Sequence, residues 1–203
     1  MVDEDIDFQL IFAKYHPKII GYLRRLVGEA EAEDVAQEVF IKVNKGLDDF
    51  RGESRLFTWI YRIATNAAMD HLRKPSFRHV WHTTNRPVDD DGLAGEIDML
   101  PKESELALDT LLIRKDMNEC IRSIVDSLPE SYRTVLVLSA LEGMTNAEIC
   151  EVLSLTLDTV KIRLHRARIR LRKEFDTQCR FYRDERNELA CDRKPRHLQF
   201  SNI

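Results

Sequence analysis

This sequence has few glycines and prolines and no long apolar run, and each of these shortages argues against certain classes of protein. Seven glycines and six prolines are few for 203 residues, and no alternating run of β-branched residues indicates a sheet core. Because neither a long apolar run nor a signal peptide is present, we expect a soluble, cytoplasmic protein that does not insert into membranes.

The motifs of common enzyme active sites are also missing. The sequence shows no Gly-rich phosphate loop, no paired catalytic carboxylates and no nucleophile beside a base. The histidines at 16, 71, 79 and 82 are scattered along the chain rather than grouped. We therefore expect that the protein is not an enzyme and that it carries no cofactor.

The net charge limits how the chain could bind nucleic acid. There are 31 Lys and Arg against 35 Asp and Glu, which gives a formal net charge of −4. The molecule as a whole is therefore not drawn to DNA, and DNA contact would require local cationic patches or help from a partner. A length of 203 residues allows one medium domain or two small ones.

The most informative local pattern lies between Glu142 and Lys173. Thr145 and Glu148 have the spacing of a capping box, which begins a short helix. A tight turn follows, and Thr156 is suited to be the N-cap of a second helix. That helix has one apolar stripe, formed by Leu157, Val160, Leu164, Ala167 and Leu171. Its other faces carry Lys161, Arg163, Arg166, Arg168, Arg170, Arg172 and Lys173.

This pattern predicts a helix-turn-helix whose second helix enters the major groove of DNA. The alternative is a solvated, arginine-rich surface helix. Asp158 is the single acid near the start of the cationic helix, on a chain that is acidic overall. This local reversal of charge favours DNA binding.

Helical periodicity elsewhere predicts an all-α fold with two small domains. Apolar residues recur at three- and four-residue steps over Phe8–Val27, Glu33–Lys45 and Leu56–Arg73, which places a first domain at residues 6–74. Pro17 lies inside the first of these patterns, and we expect it to kink or split that helix. Helical signal resumes at Leu106 and, with the helix-turn-helix, gives a second domain at residues 106–176.

A segment without periodicity joins the two predicted domains. Residues 75–105 contain three prolines and the acidic cluster Asp89–Asp91, which indicates a flexible linker. A plain tether and a specific docking role both remain open for it.

Two blocks of the sequence resemble one protein family. Residues 34–74, DVAQEVFIKVNKGLDDFRGESRLFTWIYRIATNAAMDHLRK, resemble region 2 of the extracytoplasmic-function (ECF) sigma factors of bacterial RNA polymerase, in the sigma-70 family. Residues 126–172, from DSLPESYRTVLVLSALEGMT through LDTVKIRLHRARIRLR, resemble their region 4. The resemblance implies a sigma factor that directs core RNA polymerase to promoter DNA. An anti-sigma factor that holds the protein inactive is a common further partner in the family.

The resemblance also assigns roles to individual residues. Contact with the polymerase clamp helices falls to Asp34, Gln37, Glu38 and Lys42, which would otherwise be ordinary solvated residues. Recognition of the melted −10 element falls to Phe50, Arg51, Ser54, Arg62 and Asn66. Reading of the −35 element falls to Lys161, Ile162, His165 and Arg166. Trp59 and Tyr61 could be core residues or a stacking wedge, and the helical spacing of Trp59 favours the interpretation as a core residue. Asn44 stands where the family frequently has an aromatic residue, which weakens part of the polymerase assignment.

The tail after Phe175 is not needed by the usual sigma domain. Folded as a hairpin that turns near Asp184–Asn187, it would place Cys179 directly opposite Cys191. These cysteines could form a regulatory disulfide or, with His197, contribute to a metal site. Because their spacing is not that of a CxxC pair, the sequence signal for a metal is weak. The alternative for residues 177–203 is a disordered tail with two unreactive thiols. The other cysteines, at 120 and 150, fit small buried hydrophobic residues.

A stand-alone helix-turn-helix regulator is the second interpretation of the whole chain. Its N-terminal domain would bind a ligand or dimerise, and the protein alone would bind duplex DNA tightly. This interpretation leaves the block from Phe50 to Asp70 unexplained.

Overall fold

The computed structural model describes residues 7–74, 119–183 and 189–194. Within these ranges the chain forms two helical units followed by a β-hairpin. The first unit contains α1 (Phe8–Val27), α2 (Ala32–Gly46) and α3 (Leu56–Arg73). The second contains α4 (Glu119–Asp126), α5 (Glu130–Leu136), a π-helical turn (Val137–Leu141), α6 (Asn146–Leu153) and α7 (Leu157–Gln178). The hairpin pairs β1 (Cys179–Arg183) with β2 (Leu189–Arg193).

Helix α1 is continuous through Pro17, so the expectation that this proline splits the helix is wrong. Asp7 caps the helix by accepting a hydrogen bond from the Gln9 amide at 2.8 Å, and the chain leaves it at Gly28, where φ is +92°. A long apolar face that includes Ile19 and Leu23 is fully buried against α2 and α3. This burial on both sides of the proline stabilises the helix beyond the cost of one missing backbone donor.

The predicted helix-turn-helix is confirmed in its capping details. The Thr145 hydroxyl accepts from the Glu148 amide, and the Glu148 carboxylate accepts from the Thr145 amide at 2.9 Å, which completes the capping box. Ser154 turns the chain with φ at +53°, and Thr156 caps α7 by accepting from the Thr159 amide.

The apolar stripe of α7 is buried as predicted, apart from its first residue. Val160, Leu164, Ala167 and Leu171 are buried. Leu157 was expected to pack inward but is 45% exposed. It occupies the first helical position, directly after the Thr156 cap.

Two apolar clusters hold the fold together, and the first of them crosses the boundary between the units. It combines the core of α1–α3 with residues from the second unit, namely Val135, Val137, Leu138, Met144, Ile149, Val152, Val160 and Leu164. The second cluster joins α4 and α5 to the C-terminal half of α7 and to Cys179. The two units are therefore packed directly against each other.

The hairpin forms, but its register differs from the one expected. Cys179 pairs with Arg193, and Cys191 pairs with Phe181, so the two cysteines are offset by two positions rather than facing each other. The Lys194 amide donates to the Gln178 carbonyl at 2.7 Å, which extends the ladder beyond the strand and holds this register. Cys179 is buried in the second cluster.

Several predictions fall outside the described residues: the linker at 75–105, the helical signal from Leu106 to Asn118, and His197. Within the described residues, no helix is long and apolar enough to cross a membrane. The same residues contain no group of three or more His, Cys, Asp or Glu side chains that could hold a metal ion.

Candidate nucleic-acid interface

A cavity of about 580 Å³ opens where the loop before α3 meets the first turns of that helix. Eight residues line it: Asp49, Phe50, Arg51, Glu53, Ser54, Trp59, Arg62 and Glu151. The loop is held by a hydrogen bond from the Phe50 amide to the Leu47 carbonyl, and it turns at Gly52, where φ is +69°. A space of this volume lies within the usual range of ligand-binding pockets in proteins.

Two aromatic rings form one wall of this cavity. The ring centroids of Phe50 and Trp59 lie 5.1 Å apart with a tilted geometry. Trp59 is half-buried: one side of the indole packs against the first apolar cluster, in keeping with the interpretation of Trp59 as a core residue, and the side chain also lines the cavity. Its indole packs against Gly46, where an added Cβ would lie 3.1 Å from the ring. Gly46 thus makes room for the indole at the cavity wall.

Four of the five residues expected at the −10 element line the cavity together. Phe50 and Ser54 are half-buried, while Arg51 is exposed. Asn66 does not line it; its exposed side chain lies on α3 one turn beyond Arg62. The Arg62 guanidinium donates from Nε to the backbone carbonyl of Glu151 at 2.8 Å, which brings α6 of the second unit to the rim.

The residues expected to contact polymerase share one open face of α2. Asp34, Gln37, Glu38 and Lys42 are all exposed, whereas the opposite face of the same helix is buried in the first cluster. Glu38 lies 3.9 Å from Lys74, a solvent-exposed pair. Asn44 is exposed on the same helix.

The residues expected to read the −35 element lie in the first half of α7. Lys161 is exposed and Ile162 is 50% exposed, an unusual position for a branched apolar side chain. His165 and Arg166 are half-buried one turn further along. Arg170 lies over the Tyr132 ring at 5.2 Å from its centroid, so this cation packs on its own domain.

A half-buried carboxylate, that of Glu142, joins the two units. Glu142 accepts hydrogen bonds from the Tyr61 hydroxyl and from Arg25 Nη1, the latter at 3.3 Å. Burial raises the pKa of Glu142, against the opposing effects of the Tyr61 hydrogen bond and the Arg25 charge. Burial also raises the pKa of Tyr61, so its hydroxyl remains a donor to Glu142.

Comparison with known proteins identifies the two units. The family described as Sigma-70 region 2 matches residues 11–78, and the family described as Sigma-70, region 4 matches residues 118–171. The chain belongs to the sigma-70 family.

Relatives within the family place this sigma factor in the ECF group. It is 36% identical to the RNA polymerase sigma-H factor of Pseudomonas aeruginosa over 79% of this chain and 82% of the relative. It is 32% identical to the ECF RNA polymerase sigma-E factor of Haemophilus influenzae, over 79% and 83% of the two chains. The corresponding protein of Escherichia coli K12 is 31% identical over 79% and 82%.

Two solved structures share the fold of this sigma factor. The sigma factor RpoE of Bartonella quintana, crystallised with the anti-sigma factor NepR, aligns with a TM-score of 0.60 at 19% identity, covering 84% of this chain and 97% of that one. CnrH in complex with the cytosolic domain of CnrY aligns with a TM-score of 0.56 at 24% identity, covering 84% and 88%.

The protein is thus an ECF-type, promoter-specific sigma factor of RNA polymerase, from a family of non-catalytic initiation factors. The match to region 2 accounts for the block from Phe50 to Asp70, which a stand-alone regulator left unexplained. Sequence reasoning missed Trp59 as a cavity residue and Glu151 as its neighbour. The sequence did offer a signal for Trp59, because an aromatic residue in the first turn of α3 lies close to the loop that contains Phe50. No sequence signal pointed to Glu151, since it lies 89 residues from Arg62 along the chain.

Proposed function

We propose that the cavity beside α3 captures a base from the melted −10 element, and that the first half of α7 reads the −35 element. The observation that carries the proposal is the grouping of two aromatic rings, a hydroxyl and two arginines around one cavity. Extruding a base from a duplex costs a few kcal/mol of stacking and pairing, and a pocket that contacts its face and edge offsets that cost.

Different residues of the cavity would contact different parts of a flipped nucleotide. Phe50 and Trp59 present the aromatic surface on which a base can stack, and such stacking contributes about 1–3 kcal/mol per base. Ser54 supplies a hydroxyl for the base edge. Arg62 and Asn66, on successive turns of α3, follow the strand away from the cavity, with the guanidinium suited to phosphate.

In the −35 surface, side-chain chemistry suggests two kinds of base contact. Lys161 and Arg166 are suited to the O6 and N7 acceptors of guanine, and Ile162 is suited to the methyl group of thymine. His165 lies on the same turn as Ile162 and Arg166 and completes the reading face. The half-exposed position of Ile162 supports this assignment, since a thymine methyl would cover an apolar surface that solvent otherwise contacts.

Polymerase binding is assigned to Asp34, Gln37, Glu38 and Lys42, on the open face of α2. With a net charge of −4, the free chain gains little from long-range attraction to DNA. We infer that the polymerase supplies that attraction and that this chain supplies selectivity. It performs no catalytic step of its own and works in the cytoplasm, where the polymerase acts. An anti-sigma partner of this chain would cover these same polymerase- and DNA-facing surfaces.

The direct test is promoter-selective transcription in vitro by core RNA polymerase with and without the purified protein. We expect selective transcripts only when both are present. Specific duplex binding by the protein alone, with no polymerase association, would instead favour the stand-alone regulator.

A pair of variants tests the polymerase face within the same assay. We expect Glu38→Lys to weaken polymerase association by reversing a charge on the assigned face. Glu29→Lys is the matched control, because Glu29 is also exposed and also pairs with one cation of the first unit, Arg24, at 3.0 Å. Equal losses in the two variants would contradict the assignment of this face.

A further inference from the structure

Helix α1 carries cations that belong to none of the surfaces assigned above. It contains four Lys and Arg side chains and no Asp or Glu, whereas each of α2 to α7 carries at least one acid. The whole chain has a formal net charge of −4. A helix with charges of one sign on an acidic chain indicates a patch suited to a polyanion such as a nucleic-acid backbone.

Two of these four cations have no carboxylate partner. Arg24 and Arg25 are each paired with a glutamate, at 3.0 Å and 3.3 Å. Lys14 and Lys18, here called the α1 lysines, are exposed, and neither forms a salt bridge with any side chain in residues 7–74, 119–183 or 189–194. The Lys14 ammonium lies 5.4 Å from the centroid of the Tyr15 ring, a contact that leaves its charge uncompensated. The α1 lysines are therefore available to an external anion.

Helix α1 packs against α3 directly beside two residues assigned to the −10 element. The Tyr22 hydroxyl lies 2.8 Å from Thr65 Oγ1, and the Tyr22 ring centroid lies 5.0 Å from that of Tyr61. Tyr61 and Thr65 immediately precede Arg62 and Asn66 on α3. The part of α3 that carries Arg62 and Asn66 therefore adjoins α1.

The α1 lysines continue along α1 from this contact. Lys18 precedes Tyr22 by one helical turn, and Lys14 precedes Lys18 by one more, which spaces the two lysines about 6 Å apart along the helix axis. Burial raises the pKa of Glu142, and the charges of Arg25 and Lys18 oppose this rise, which places both cations on one side of α1. Because Glu142 also accepts a hydrogen bond from a tyrosine hydroxyl of α3, this side of α1 is the side next to α3.

We propose that the α1 lysines bind phosphates of the melted −10 strand where the strand leaves the base cavity across α3. The proposal rests on the assignment of the cavity to the −10 element. It adds a phosphate-binding surface on a helix to which no DNA contact has been assigned. The strand would run from the cavity past Arg62 and Asn66 to the α1 lysines.

A melted strand requires such contacts because it has lost the pairing and stacking that ordered its backbone in the duplex. Proteins that hold single strands combine aromatic faces for the bases with a cationic track for the backbone. Phe50 and Trp59 provide the aromatic faces in the cavity, and the α1 lysines provide the track. Since phosphate contacts carry no sequence information, we expect base discrimination to depend on the cavity and salt-dependent affinity to depend on the α1 lysines.

The experiment measures how holoenzyme, assembled from core RNA polymerase and the full-length protein, binds a single strand. The probe is a fluorescein-labelled strand that carries the non-template −10 region of a promoter found in the transcription assay, and its affinity is measured by anisotropy across a salt series. The variant is Lys14→Gln/Lys18→Gln, which removes both charges and keeps residues that favour a helix.

We expect the plot of log affinity against log salt concentration to become less steep by about 1.4 in this variant, because each phosphate contact to a single strand contributes about 0.7 to the slope. At ~0.1 M salt this change corresponds to about 20-fold weaker binding, and the difference should vanish near ~1 M salt.

The matched control is Arg24→Gln/Lys173→Gln, which removes the same number of charges. Arg24 lies on α1 but pairs with Glu29 at 3.0 Å, and Lys173 is exposed in the C-terminal third of α7. We expect the wild-type slope and affinity in this control. An equal change in both variants would reveal only an effect of net charge and would overturn the proposal.

A strand substituted at the base expected in the cavity separates this proposal from the proposed function. The lysine variant should keep the wild-type penalty for the substitution, whereas Trp59→Ala should lose the penalty and keep the wild-type slope. An unchanged slope in the lysine variant, with discrimination still lost in Trp59→Ala, would overturn the phosphate assignment alone. Discrimination that survives in Trp59→Ala would count against the cavity itself.

Association with core polymerase is measured beside strand binding for every variant. We expect the lysine variant to associate as the wild type does. Weaker association with an unchanged salt slope would overturn the proposal and assign the α1 lysines to polymerase contact. If circular dichroism shows that the double variant is unfolded, Lys18→Gln alone carries the test, with an expected slope change of about 0.7.

Discussion

The two surfaces proposed to bind DNA in this sigma factor have opposite shapes. In the first unit the surface is a cavity with half-buried aromatic walls at Phe50 and Trp59. In the second unit it is the convex first half of α7, where Lys161 and Ile162 are exposed. The same chain thus combines a concave site of mixed charge with a protruding cationic helix.

This difference fits the state of the DNA that each surface is proposed to bind. A base that has left the stack loses its neighbours, so a binding site must replace them with aromatic faces and exclude water, which requires a cavity. Bases in a duplex expose only their edges within a groove, so a site must project a helix toward them. The shapes of the two surfaces are therefore consistent with the proposed roles, the cavity for melted DNA and the helix for paired DNA.

The largest effect is expected from a substitution that removes a wall of the cavity. We expect Trp59→Ala to reduce open-complex formation by about 3 kcal/mol, near the upper end for loss of base stacking on an aromatic ring. The substitution removes both a wall of the cavity and the ring partner of Phe50. Open complexes on a promoter template are quantified by permanganate reactivity of unpaired thymines. Trp59→Phe keeps a ring and should recover most of the loss; a failure to recover would argue against stacking.

The second effect concerns recognition of the −35 element by the first half of α7. We expect Arg166→Ala to cost about 1–3 kcal/mol in −35 recognition and to relax the base preference at its contact. The measurement is transcription from a set of templates substituted at each −35 position. Arg172→Ala, an exposed cation later in α7 that pairs with Asp176 at 3.9 Å, is the comparison. Unchanged promoter preference in Arg166→Ala would show that the reading face is misassigned.

A smaller effect separates melting from polymerase association. Asn66 is exposed on α3, away from the assigned polymerase face of α2. We expect Asn66→Ala to weaken open-complex formation by about 1 kcal/mol, as for loss of one hydrogen bond, and to leave polymerase binding unchanged. Gel-filtration or anisotropy binding to core polymerase is measured beside permanganate reactivity. Equal losses in both would refute the separation of the two surfaces.

The smallest effect concerns the cap that orients the helix-turn-helix. Thr145→Ala should lower the free energy of unfolding at pH 7 by about 1 kcal/mol, as for other N-cap losses. Hydrogen bonds from the Thr145 amide, and then from its hydroxyl, hold the pKa of Glu148 below its usual value. The stability they provide is present above the unfolded pKa and is lost as pH falls through the lower folded value. Urea unfolding at pH 7 and near pH 3 should therefore show a smaller difference between wild type and variant in acid.

Local chemistry predicted the elements of the second surface well. The Thr145 and Glu148 spacing and the Thr156 cap gave the helix-turn-helix in detail, because capping bonds join residues three positions apart. The stripe from Val160 to Leu171 is likewise a property of one helix. The assignment of roles to these helices rested on resemblance to the sigma family.

Contacts between distant parts of the chain were beyond sequence reasoning. Arg62 and Glu151 are 89 residues apart, and no periodicity connects them. The orientation of Trp59 depends on the space left by Gly46 on a different helix. The predicted hairpin register was wrong by two positions, since Cys179 pairs with Arg193 and the ladder continues beyond the strands from the Lys194 amide to the Gln178 carbonyl.

Helix α7 belongs to both apolar clusters, and this has a calorimetric consequence. Its first half, with Val160 and Leu164, packs in the cluster shared with the first unit, whereas Leu171 and Phe175 pack in the other. When the units separate, apolar surface in the shared cluster becomes hydrated, and hydration of apolar surface raises the heat capacity. A binding event that separates the two units should therefore show a heat-capacity change less negative than the buried contact area alone would give. The difference between the expected and the observed heat-capacity change measures how much apolar surface the two units bury against each other in the free sigma factor.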